Sequence, residues 1–210
     1  MTQKQILMTL WRLATLAFAL YGLALQLLPD TFYNMTYYTL LSNVLVAGFL
    51  SWILVLMFKG KWSVLNSSAF LRLKAGVTMS ILLTFLVYAI MLAPIAAPED
   101  FYHWKNYTLH YLVPIFFTID WCLFDRPGAY HKLDPLLWTL LPLLYMVFAL
   151  IKGYIFRIPI PDQAESPYPY FFLNIDQIGW TGFLGYAIAI FIGYLVLGYG
   201  LYFVKRSKRP

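Results

Sequence analysis

The sequence predicts an all-α membrane protein, a bundle of six transmembrane helices with both termini in the cytoplasm. Three observations lead there. The 210 residues are 61% hydrophobic and only 11% charged, whereas a soluble domain has about 45–50% apolar and about 25% charged residues. The apolar residues fall into six runs, each near the ~20 residues a helix needs to cross hydrocarbon. Basic residues collect in alternate gaps between these runs. Lys4, Lys59, Lys61, Arg72, Lys74, Arg126, Lys132, Lys205, Arg206, Lys208 and Arg209 fall on one side, and Lys105, Lys152 and Arg157 on the other. Basic loops stay inside, so eleven against three marks the cytoplasmic face.

The first span, 6–28, ends at Pro29-Asp30. It is too long for a signal-peptide core, and no small-residue cleavage site follows it. The second, 37–58, ends at Lys59-Gly60-Lys61, and the third, 75–97, at Pro98-Glu99-Asp100. The fourth, 107–124, stops at Asp125-Arg126-Pro127-Gly128. The fifth, 136–156, is followed by a long stretch, 157–179, before the sixth, 181–204. Charge, Pro or Gly at every break is the chemistry of an interhelical turn. The glycines of the last span suit close helix packing.

These spans make the whole chain, 1–210, a single transmembrane domain with no room for a soluble catalytic or nucleic-acid-binding unit. The net charge of +6 therefore reports orientation, and no nucleic-acid partner is expected. Membrane lipids are the expected partners. One cysteine, Cys122, excludes an intramolecular disulfide and a Cys-rich metal site. It sits near the cytoplasmic end of its span and is expected to pack. No nucleotide loop, zinc-hydrolase or nucleophile-elbow pattern occurs. His103 and His131 fall in loops on opposite sides, so no haem site forms. No metal and no cofactor are expected.

Function must then lie in polar residues inside the spans, where an ionised group costs roughly 2.5–3.5 kcal/mol at mid-depth. Two clusters emerge. Thr39, Ser42 and Asn43 occupy one face of the outer turns of the second span, at i, i+3 and i+4. Asn106 and His110 share a face at the outer end of the fourth, so Thr39 and His110 lie at one depth. Pro114 has no N–H for the carbonyl of His110 and is expected to kink the helix there. Pattern alone also fits a Thr39 that back-bonds its own helix and a His110 that satisfies a neighbour.

The second cluster is an expected structural ion pair, Arg12 with Asp120, at matching depth near the cytoplasmic side. Asp120 is about 15 Å along the helix from His110 and roughly 80° around it, too far to orient the imidazole. The outer segment 168–176, with Tyr168, Tyr170, Asn174 and Asp176, is dense in aromatics. It reads either as an interfacial belt or as a lid over a pocket between the second and fourth spans.

Three segments together resemble a known family. They are Tyr38-Thr39-Leu40-Leu41-Ser42-Asn43, then Asn106-Tyr107-Thr108-Leu109-His110 leading to Pro114, then Tyr168-Pro169-Tyr170-Phe171-Phe172-Leu173. Their order and span positions look like the androgen-induced, FAR-17a-type integral membrane proteins, particularly small bacterial relatives in the cell membrane. Animal members are intramembrane threonine hydrolases of fatty acid esters of hydroxy fatty acids. The resemblance implies Thr39 as nucleophile and His110 as base. Tyr107 and Tyr111 depart from the animal pattern, which has His and Thr there. In this chemistry the hydroxyl needs a neighbouring base. Ser42, Asn43 and Asn106 are candidate oxyanion or substrate-positioning groups. A lipid ester would reach them sideways through the bilayer. The alternatives are a small-molecule or proton-coupled transporter, with a polar path joining the two clusters, and a non-catalytic lipid-binding protein.

Overall fold

A computed structural model describes residues 2–28, 31–161 and 166–206. Pro29-Asp30, expected to end the first span, and the basic Lys208 and Arg209 lie outside them. Among the described residues, six helices are long and apolar enough to cross a membrane: α1 (Gln3–Leu27), α2 (Tyr38–Phe58), α3 (Ser68–Ile95), α4 (Trp104–Phe124), α5 (Asp134–Ile155) and α6 (Ile175–Val204). The chain is thus a multi-pass integral membrane protein. Six crossings return both ends to one face.

Five of these six helices start earlier than hydropathy predicts, and for α3, α4 and α6 the physical reason is local. α3 begins at Ser68 because its early charges are partnered. Arg72 forks onto Asp134 at 2.6–2.9 Å, and Lys74 is buried between Asp120 and Asp125. Neither belongs to a loop. α4 begins at Trp104, with the His103 side chain accepting from the Lys105 N–H. α6 starts at Ile175, capped by Asn174. Gly179, at φ +66°, breaks it into two helical pieces. That left-handed geometry is one glycine adopts readily. Lys152 lies inside α5, where its Nζ donates to the Ile158 carbonyl at 2.9 Å.

Helices α1 to α4 pack as a tight group, α1 against α2 and α4, and α3 against α2 and α4. In lipid, association depends on close fit and interhelical hydrogen bonds rather than on hydrophobic expulsion from water. Gly22 of α1 supplies such a fit, since a Cβ there would lie 2.5 Å from Thr108 Oγ1 of α4. Val46, Leu50, Ile53, Val77, Ile81, Val113 and Phe117 fill the middle of this group and are almost wholly buried. α5 flanks it, meeting α3 near its own start, where α6 also packs on α5. Of the α6 glycines expected to pack closely, only Gly198 approaches another helix, against Pro135. Cys122 is exposed rather than packed.

Three helices contain a π turn: Tyr88–Leu92 in α3, Thr108–Leu112 in α4 and Ile151–Ile155 in α5. The first two each precede a proline, Pro94 and Pro114, by the same spacing. π turns are frequent at functional sites, and these two face each other.

Candidate active site

Thr39 sits in the first turn of α2 and His110 in the π turn of α4, and Thr39 Oγ1 lies 3.1 Å from His110 Nε2. Thr39 makes no back-bond to its own helix among the described hydrogen bonds. The other ring nitrogen, Nδ1, is 3.3 Å from the Asn106 carbonyl oxygen. A carbonyl can only accept, so Nδ1 carries the proton and Nε2 presents its lone pair to the Thr39 hydroxyl. Tyr88 stacks on the imidazole with centroids 3.9 Å apart. Its hydroxyl accepts from Asn106 Nδ2 at 2.5 Å. One residue, Asn106, therefore anchors both the edge of the imidazole and the ring stacked on its face.

The π turn adds to what Pro114 leaves open. Hydrogen bonds run from i+5 to i here, and the Val113 N–H reaches the Thr108 carbonyl. The next bond in that register would run to Leu109 from Pro114, which has no N–H, so the Leu109 carbonyl lacks that partner. Asn43 Nδ2 fills the gap at 3.0 Å and also donates to the Thr39 carbonyl at 2.8 Å. Asn43 thus ties the α2 turn bearing Thr39 to the α4 turn bearing His110.

Ser42, Asn43 and Asn106 stand in the site as scaffolding. Both amide hydrogens of Asn43 are committed, as are those of Asn106, which also donates to the Phe101 carbonyl at 2.9 Å. Ser42 Oγ lies 3.0 Å from the Thr39 carbonyl and 2.7 Å from Thr84 Oγ1. None of the three directs a spare donor into the cavity.

The 168–176 segment folds inward, but only one of its four candidate lid residues reaches the site. The Tyr170 hydroxyl accepts a long, 3.5 Å hydrogen bond from the Thr39 N–H. Burial raises its pKa above the ordinary phenol value, so the hydroxyl keeps its proton. Tyr168 packs against Gly153 instead, Asn174 caps α6, and Asp176 pairs with Arg157 near the surface. Sequence reasoning treated Tyr170 only as cover and overlooked Tyr88. The repeated proline spacing after Tyr88 and Thr108 was the available signal.

Thr39 lies on the wall between two cavities. The outer one, about 370 Å³, is lined by His110, Asn106, Asp100, Lys105, Gln26 and Tyr170, among others. The second is narrow, about 100 Å³, and runs between α3, α5 and α6 with a mostly aliphatic and aromatic lining. A third cavity, about 230 Å³, opens at the opposite end beside Arg12, Lys74 and Asp125. It shares no lining residue with the other two. The buried middle of α1–α4 separates it from the outer cavity.

The expected ion pair is present but belongs to a larger network. Arg12 donates to Asp120 through Nε at 2.8 Å and Nη2 at 3.3 Å. Lys74 Nζ also reaches Asp120, at 2.5 Å, and pairs with Asp125. Two cations and two carboxylates thus close a neutral set.

No family model, curated protein or solved structure matches this chain.

Proposed function

We propose that this protein is an intramembrane threonine hydrolase that cleaves a lipid ester, a fatty acid ester of a hydroxy fatty acid or a close analogue, in a bacterial inner membrane. The observation that carries the reading is the Thr39–His110 contact with its tautomer fixed by the Asn106 carbonyl. A threonine hydroxyl is a weak nucleophile without an adjacent base, and here the base faces it with a lone pair. The resemblance to the FAR-17a-type proteins points to the same two residues.

In the first half-reaction Thr39 Oγ adds to the ester carbonyl carbon as its proton passes to His110 Nε2. The carbonyl electron pair moves to oxygen. That oxyanion forms beside the first turn of α2, where backbone N–H groups lack intrahelical acceptors and the helix dipole is positive. The protonated Tyr170 hydroxyl, whose oxygen already accepts from the Thr39 N–H, is the donor at hand. His110 then protonates the leaving alkoxide as the carbon–oxygen bond breaks, and an acyl ester remains on Thr39. Water from the outer cavity adds to that ester, giving its proton to His110. Collapse releases the carboxylic acid and returns the proton to Thr39.

The separation of the outer and inner cavities supports hydrolysis over transport, which needs a path between the faces. Purified protein in phospholipid vesicles should cleave a long-chain ester and react with a fluorophosphonate probe. Thr39→Ala and His110→Ala should each abolish cleavage, with the double variant little worse, as for residues acting as a unit. Thr39→Ala should also escape the probe. Full esterase activity in either alanine variant would refute the assignment.

A further inference from the structure

The narrow cavity between α3, α5 and α6 has an outer end at Thr39 and Tyr170 and an inner end at Thr139 and Tyr194. Its hydroxyls are already satisfied by protein. Thr139 Oγ1 donates to the Leu136 carbonyl at 2.7 Å, Tyr194 to the Trp138 carbonyl at 3.1 Å, and Tyr145 to the Thr36 carbonyl at 2.9 Å. Tyr38 bonds Ser80, and Thr84 bonds Ser42. An occupant finds no vacant polar partner along this groove except at its Thr39 end. From Thr139 to Met146 on α5, and from Ala187 to Tyr194 on α6, the walls run ~10 Å, the length of roughly eight methylene groups.

The groove also has a side. α5 and α6 are clasped at the inner end by the Tyr194–Trp138 hydrogen bond and by Gly198 against Pro135. At the outer end the Tyr154 ring of α5 meets Trp180 of α6 edge-on at 5.3 Å. Between these clasps no other helix packs extensively on Leu140–Leu150. That stretch exposes Leu144 and Val147 at a depth where only hydrocarbon surrounds a spanning helix.

We infer that this groove holds one acyl chain of a bilayer lipid, admitted sideways between α5 and α6, with its carbonyl carbon at Thr39. The inference deepens the hydrolase reading and rests on it for the role of the carbonyl. Ala187 is the specificity-determining position, because its small side chain leaves the groove open on the α6 wall. A short ester does not need the groove and reaches Thr39 through the outer cavity.

The test compares p-nitrophenyl palmitate with p-nitrophenyl butyrate in phosphatidylcholine vesicles. Ala187→Phe should lower the palmitate-to-butyrate ratio of kcat/KM at least tenfold. Phe191→Ala, which widens the same wall without adding bulk, should raise the rate on a pyrene-tagged chain relative to palmitate. An unchanged ratio in a folded Ala187→Phe, or no gain in Phe191→Ala, overturns the groove. Binding is read separately with a diazirine palmitate. It should crosslink the wild type on the α5 and α6 walls, and Ala187→Phe should lose the label. A wild type that labels there but cleaves neither ester supports the groove and refutes the catalytic reading. Labelling confined to other helices refutes the groove alone.

Discussion

Replacing Asp120 with Asn removes the carboxylate that two buried cations share. Arg12 then keeps no carboxylate, with Met57 Sδ 3.2 Å from its Nη1 and the Phe124 ring 5.8 Å from its guanidinium carbon, while Lys74 retains Asp125. Stranding a buried charge costs about 3–5 kcal/mol. Arg12→Met is the milder lesion, because Asp120 still has Lys74 at 2.5 Å. What it loses is charge-assisted hydrogen bonding, about 1.5–3 kcal/mol. Adding Arg12→Met to Asp120→Asn removes the stranded guanidinium and leaves the neutral Lys74–Asp125 pair. The double variant should be no less stable than Asp120→Asn alone, so the two losses fall short of their sum by about 1.5–3 kcal/mol, in the range expected for coupled contacts. Equilibrium unfolding in mixed micelles, titrated with dodecyl sulfate and followed by tryptophan fluorescence, measures all four proteins. The network account fails if Asp120→Asn costs no more than Arg12→Met, or if the two losses simply add.

Two further predictions concern the outer end. Tyr170→Phe should lower kcat for ester cleavage by ~10²-fold with KM nearly unchanged, as expected when an oxyanion donor is removed; an unchanged kcat would leave Tyr170 as packing only. Gly153→Ala sets a Cβ 2.7 Å from the Tyr168 ring, so overpacking should cost about 1–3 kcal/mol. Displacement of the attached Tyr170 should slow ester cleavage as well, and a variant with wild-type stability and rate would show that the segment yields freely.

The sequence by itself determined the six spans and the shared depth of Thr39 and His110, since these follow from hydropathy and helical period. It also brought Arg12 and Asp120 to one level. Only the tertiary structure decided what each polar group does with its hydrogens. Lys74 read as a loop cation because charge next to an apolar run is ambiguous until a partner is seen, and its partners come from another helix. Asn43 and Asn106 read as donors to a substrate, yet their amides are consumed by Leu109, Thr39, Tyr88 and Phe101. The meeting of Asn43 with the Leu109 carbonyl depended on a π turn, whose one-residue shift hydrophobic periodicity does not encode. Tyr88 and Tyr170 reach the site from distant parts of the chain. In a sequence with 17 tyrosines, composition marks none of them, and only helix packing selects the two that meet His110 and Thr39.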